Sequence, residues 1–169
     1  MTVGEALRAH YAAAGLPPDG GRSASAWAVK LGPVAFPFRN WEWRRRALRH
    51  HDVHHLLTGY PCTPAGEFEM AAWEFAAGRF PSAWSTLFCL PLVGLGALIT
   101  PRRSFAAFVR GRRSRTLYAA PLTRELLETR LCDLRARTLP HDVPAATIGD
   151  LARYLALAAV SLAPLALLF

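Results

Sequence analysis

The sequence predicts a mainly α fold, a compact helical domain with one short N-terminal β-hairpin and two long apolar helices. Three observations predict it. Apolar residues recur at helical spacing through most of the chain, as in Val3, Ala6, Leu7, Tyr11 and Ala14. Start signals such as Thr2-x-x-Glu5 and Thr63-Pro64, and stops at Gly15 and Gly59, bound these stripes. Strand-like composition is confined to a short region around Gly32-Pro33. At 169 residues the chain reads as one domain over residues 1–150, followed by an apolar C-terminal helix, 151–169, that is a candidate membrane anchor.

In order, the first helix carries the capping box and ends at Gly15, and Leu16 to Gly21 is a loop. Ala26 to Leu31 and Val34 to Phe38 are read as two short strands, with Pro37 keeping the second at an edge. Asn40 is expected to cap a helix from Trp41 to Thr58, ended by Gly59. Thr63 caps the next helix, Pro64 to Ala77, with proline at its first position. No charge appears from Phe80 to Pro101, apart from the bounding residues' neighbours, and Pro91, Gly94 and Gly96 allow a bend or a close helix approach. Leu122 to Leu139 reads as one amphipathic helix with Leu126, Leu127, Leu131 and Leu134 inward. His141-Asp142 reads as loop, and a second apolar run, Tyr154 to Phe169, closes the chain.

Composition narrows the partners. Hydrophobic residues make up 52% and charged residues 19%, which suggests that some surface meets lipid. The net charge of +8 comes almost wholly from arginine, Lys30 being the only lysine, and points to an anionic partner. Arg44, Arg45, Arg46 and Arg49 lie beside Trp41 and Trp43, which suits a headgroup-level contact. No zinc-finger spacing or RNA-recognition signature accompanies them, so nucleic acid is not expected. Cys62, Cys89 and Cys132 are odd in number and widely spaced, which favours a reducing compartment; Cys62 is read as a loop residue beside the site. Glu5, Arg8 and His10 interrupt any apolar leader.

Four of the six histidines fall between His50 and His55. His51 and His55 are four apart, so a helix aims both imidazoles toward one ion, with Asp52 flanking the same face. His50 and His54 form a rival pair on another side. A short connection would bring Glu67, in the first turn of the next helix, near the same place, giving a metal site with an open position. Glu74, two turns further on, would orient a ligand. Arg112, Arg113 and Arg115 belong to a cationic patch that would hold a carboxylate, a diphosphate or anionic headgroups.

His51, Asp52, His55 and Glu67 form H-D-x-x-H, eleven residues, then E, and this resembles the signature of the Coq-four family of coenzyme Q (ubiquinone) biosynthesis proteins. The similarity continues through Leu57 to Glu67, Trp73-Glu74, Gly78 to Pro81, Gly111-Arg112-Arg113 and Leu117-Tyr118, so that about residues 44–138 are covered. The chain is shorter than typical members, and its tail after Asp150 has no counterpart. The resemblance implies a divalent metal, zinc with iron as the redox-active alternative, held and used catalytically by His51, Asp52, His55 and Glu67. It also implies oxidative removal of the ring carboxyl group of a polyprenylated aromatic lipid with hydroxylation of the same carbon. It further implies a peripheral or anchored place on the cytoplasmic face of a bacterial inner membrane, a homo-oligomer, and other quinone-biosynthesis proteins as partners. A non-catalytic prenyl-lipid-binding scaffold is the alternative. A di-iron oxygenase, suggested by His51-x-x-His54-His55, lacks its further histidine boxes, and for an HD-type phosphohydrolase, suggested by His51-Asp52, His10 and Asp133 or Asp150 are poor candidates for the upstream histidine and downstream aspartate that such a site needs.

Overall fold

The computed structural model describes residues 1–31, 34–142 and 145–166. Along them run α1 (Val3–Ala13), β1 (Ala26–Leu31), β2 (Val34–Arg39), α2 (Glu42–Thr58), α3 (Pro64–Ala77), α4 (Ala83–Ile99), α5 (Pro101–Gly111), α6 (Arg124–Glu128), α7 (Leu131–Thr138) and α8 (Ile148–Ala166). The mainly helical class and the hairpin are as expected. β1 and β2 pair antiparallel, Ala26 opposite Arg39 and Trp27 opposite Phe38. The turn expected at Gly32-Pro33 lies outside the described residues, as does Pro144.

Local chemistry explains most boundaries. Thr2 accepts from the Glu5 amide while Glu5 accepts from the Thr2 amide at 2.7 Å, a complete capping box. Thr63 caps α3 through the Gly66 amide, and Pro64 costs nothing where an amide has no helical acceptor. Gly59 closes α2 at φ 78°, a left-handed conformation that glycine adopts without a Cβ clash.

Two apolar clusters form the core. The first joins Val3, Leu7 and Tyr11 of α1 to Val53 and Leu57 of α2 and to Leu131 and Leu134 of α7. The second joins Met70 and Trp73 of α3 to Val93 of α4, Phe108 of α5 and Tyr154 of α8. Helices α2 and α3 belong to different clusters, and the site lies on the seam between them. Two guanidinium groups fix the C-terminal end of α2: Arg110 donates to the Thr58 carbonyl at 2.8 Å and Arg135 to that of Leu56. Cations there also complement the negative end of the helix dipole.

Three expectations need correction. Asn40 does not cap α2; Trp41 occupies that position without a side-chain bond. The Asn40 amide group is instead buried beneath the loop before β1, donating to the carbonyls of Gly21, Arg22 and Ala24 at 2.9–3.2 Å. The helix expected from Leu122 to Leu139 is two helices, α6 and α7. Between them Thr129 and Arg130 are extended because their backbone pairs with the N-terminus, the Val3 amide donating to the Thr129 carbonyl at 2.9 Å and Leu131 to that of Met1 at 3.1 Å. Finally, no helix among the described residues is long and apolar enough to cross a membrane. The 17 residues of α4 rise roughly 26 Å, short of a hydrocarbon core of about 30 Å, and α8 includes Asp150 and Arg153. α8 begins at Ile148 and packs along α4, where Gly94 admits Ser161 and Leu162 so closely that a Cβ would collide with both.

Candidate metal centre

His51 and His55 project from the same face of α2, and Glu67 reaches them from the first turn of α3. The His51 and His55 Nε2 atoms are 3.1 Å apart; each lies 3.3 Å from a different Glu67 oxygen. A tetrahedral zinc ion with bonds of about 2.0–2.1 Å sets its ligand atoms about 3.3 Å apart; here the two imidazole nitrogens and a single Glu67 oxygen all lie within 4.8 Å of one another, close enough to converge on one ion. The donor chemistry, two imidazoles and one carboxylate, fits the same ion and also iron.

The far sides of the rings are held. The Nδ1–H of His55 donates to the Tyr60 carbonyl at 2.8 Å, and that of His51 to Glu74 Oε1 at 3.2 Å. Such partners hold Nδ1 of each ring as a donor, so that on loss of the second proton both Nε2 atoms are free to face one ion. The Glu67 side chain remains a third exposed and that of His51 about a quarter, so a further ligand has a way in from this side.

Glu74 is the hub beneath the site. Its side chain is fully buried, and Oε1 accepts from His54 Nδ1 at 2.7 Å and from the Tyr118 hydroxyl at 2.8 Å as well as from His51. Oε2 has no hydrogen-bond partner among the described residues, so this anion depends on the three donors at Oε1. His54, completely buried between the rings of Trp73 and Tyr118, receives the Leu117 amide on Nε2 at 2.9 Å. It therefore ties α2 and α3 to the segment after α5.

Electrostatics follow from this packing. Burial opposes the charge on Glu67, but hydrogen bonds from His51 and His55 outweigh it and hold the carboxyl to about 2. Burial likewise opposes charge on Glu74, and the neighbouring His51 holds it well below the carboxylate range. For His55, hydrogen bonds to Cys62 and Glu67 overcome burial and raise the imidazole to about 9. Burial opposes the charge on His51 as well, but the Glu74 carboxylate overrides it and raises that imidazole well above its ordinary range. His54 moves the other way, burial keeping it neutral. Burial, then the charge of Glu74, pushes the Tyr118 hydroxyl well above its ordinary range.

The sequence-predicted residues thus divide. His51, His55 and Glu67 converge, and Glu74 orients His51. Asp52 stands outside the converging group; its Oδ2 accepts the Tyr11 hydroxyl at 2.8 Å, a link across 41 residues. Of the cationic patch, Arg112 and Arg113 face the buried Asp150 at 3.4 and 3.0 Å, while the Arg115 amide donates to the Thr138 carbonyl. In the sequence His54 stands out as half of a rival pair with His50, and Tyr118 and Tyr11 carry no site role there. The run of histidines was a signal for the first, whereas the tyrosines meet their carboxylates only in three dimensions.

Above the triad opens a cavity of about 310 Å³, within the size range of small-molecule sites. Trp27, Trp43, Leu48, Phe80, Phe88 and Leu92 make most of its wall apolar, and His51, Asp52, His55 and Glu67 reach it at one end. Cys62 also lines it, with Sγ 3.7 Å from His10 Nε2; all three cysteines are free. Comparison with protein-family models, with curated proteins and with solved structures gave no match.

Proposed function

We propose that this protein holds a divalent metal, zinc or iron, at His51, His55 and Glu67 and binds a prenylated aromatic lipid of quinone biosynthesis in the adjoining cavity. The observation that carries the reading is the juxtaposition of a converging two-histidine, one-carboxylate donor set with an apolar cavity in one fold. The motif H-D-x-x-H with its glutamate, similar to that of the Coq-four family, supplies the quinone assignment. A bound metal would act as a Lewis acid toward an oxygen of the ring. The chain's own groups do the rest: Glu74 and the Tyr60 carbonyl orient the two imidazoles, and the aromatic wall excludes water and receives the isoprenoid. Asp52, with its proton donor Tyr11, lies beside the ligands as a carboxylate able to accept a proton from bound substrate. In this reading the reaction is oxidative removal of the ring carboxyl group with hydroxylation of the same carbon: the carbon–carboxyl bond breaks with release of carbon dioxide, a carbon–oxygen bond forms with oxygen from water, and dioxygen takes up the two electrons and two protons as hydrogen peroxide.

Contact with a membrane surface is part of the same proposal. Trp41 and Trp84 are 45% and 66% exposed, flanking Trp43 at the cavity wall, and Leu87 beside them is 58% exposed. Arg46 adds a cation to that aromatic group, a combination suited to the headgroup level of the bilayer. A peripheral place on the inner membrane, self-association and contact with other quinone-biosynthesis proteins belong to this proposal.

The test is incubation of the purified, metal-loaded protein with a polyprenylated hydroxybenzoate in air. Loss of the carboxyl group as carbon dioxide, abolished by His51→Ala, supports catalysis. Tight binding with unaltered lipid supports the scaffold role. That second reading is favoured by the position of Arg44, the half-buried cation of the cavity wall, about two helical turns from His51.

A further inference from the structure

Eight of the 19 arginines have an anionic partner or cap a helix end among the described residues. Arg46 pairs with Glu42, Arg103 with Glu69, Arg112 and Arg113 with Asp150, Arg124 with Glu128 and Arg130 with Asp133, while Arg110 and Arg135 cap α2. Arg44 differs. It is half-buried, lines the apolar cavity, and among the described residues finds only a neutral hydrogen-bond partner, donating to Asn40 Oδ1 at 2.9 Å. Its guanidinium carbon lies 4.1 Å over the Trp27 ring. Asp52 is the acid that influences it, but that carboxylate is engaged by Tyr11 and makes no ion pair with Arg44.

Two features make this a prepared receptor. Asn40 is itself locked by three backbone carbonyls, so the Arg44–Asn40 contact is rigid. Trp27 packs on Phe38 of the paired strand and on Phe88 of α4, so the surface beneath the guanidinium is rigid too. A guanidinium has five N–H donors, and one is used by Asn40. Desolvating a cation without a counter-ion is costly, and a bidentate anion from the cavity side would compensate that cost.

We propose that Arg44 binds the anionic group of a single-chain amphiphile whose apolar body lies along α2 toward the metal triad. The face of α2 that lines the cavity runs Arg44, Ala47, Leu48, His51, Asp52, His55, a cationic pole and a metal pole joined by apolar residues. Seven residues separate Arg44 from His51, a rise of about 10 Å. The cationic and metal poles are thus set apart along one helix face, with Ala47 and Leu48 between them for an apolar body to lie against. The inference rests on the reading of the cavity as a lipid site and narrows it to a ligand with an anionic group at the Arg44 end.

The test is titration of wild-type protein, followed by tryptophan fluorescence, with dodecanoate, dodecanol and acetate. Arg44→Met and His51→Ala with His55→Ala are titrated alongside, and melting curves establish that each variant folds. Dodecanoate is expected to bind about tenfold or more tighter than dodecanol, since a hydrogen bond to a charged group contributes on that scale. Arg44→Met should erase the difference by weakening dodecanoate alone, and acetate should compete poorly. The histidine variant should keep the preference, so absence of metal would defeat the proposed metal centre and leave this inference standing. Equal binding of acid and alcohol by the wild type, which needs no variant, would overturn it. So would equal weakening of both by Arg44→Met, or competition by acetate as strong as by dodecanoate.

Discussion

The seam between α2 and α3 and the junction of α5 with α8 both bury carboxylates among basic groups, yet they differ in what those groups can still do. At the α5–α8 junction Asp150 takes Arg112 and Arg113, and its second oxygen also accepts the Thr147 amide and hydroxyl at 3.1 and 2.9 Å. That ends in mutual neutralisation and fastens the start of α8. At the seam, Glu74 satisfies the far sides of His51 and His54, but the near side of His51 faces His55 and Glu67 with donor atoms aimed at one point. A carboxylate that binds a ring from behind leaves the ring's other nitrogen for chemistry. A carboxylate that binds a guanidinium head-on consumes it.

Breaking the hub should show the largest effect. Glu74→Ala leaves His54, His51 and Tyr118 without their acceptor, and removal of one partner from a buried charged pair costs about 3–5 kcal/mol. Urea denaturation should show a loss of that order, and any folded fraction should bind metal about 10–100-fold more weakly. An unchanged midpoint would mean that Glu74 is not the anion the seam is built on.

Next in size is proton release on metal binding. In the metal-free protein His55 is held to about 9, so at pH 7 it carries a proton that a metal must displace. Zinc titration calorimetry in two buffers of different ionisation enthalpy should show protons released, and apparent affinity should fall on acidification. Release of none would contradict a His55 that is protonated in the metal-free protein.

A smaller effect is expected at the contrasting junction. The Asp150 carboxyl is held to about 2, mainly by the Arg113 hydrogen bond, so its stabilisation is complete above the ordinary aspartate range and fades as pH falls toward 2. Asp150→Asn should lower the melting temperature at neutral pH and flatten its acid limb. Arg113→Met should lower it similarly, whereas Arg115→Ser, which keeps the backbone bond to Thr138, should leave it nearly unchanged.

These contrasts also show where sequence reasoning reaches. His51 and His55 are legible because both lie on one helix, where spacing alone dictates direction, and Glu67 because Thr63-Pro64 fixes where α3 begins. Asp52 has the same spacing credentials as the ligands, but Tyr11 of α1 claims it, and no local pattern encodes a contact between those two helices. In the cationic patch, Arg113 looks free in the sequence, but α8 returns with Asp150 against it. Four inward leucines were read correctly from Leu126 to Leu134, whereas the break between α6 and α7 was hidden because backbone pairing with the N-terminus has no side-chain signature. The apolar run of α4 was visible, but not that α8 would pack along it.

The central claim is that His51, His55 and Glu67 hold one metal ion. Elemental analysis of the purified protein beside a His51→Ala, His55→Ala double variant tests it most directly. About one equivalent of zinc or iron per chain in the wild type, lost in a variant that still folds, is the expected result. No metal in the wild type after exposure to either ion, or equal metal in both proteins, would contradict it.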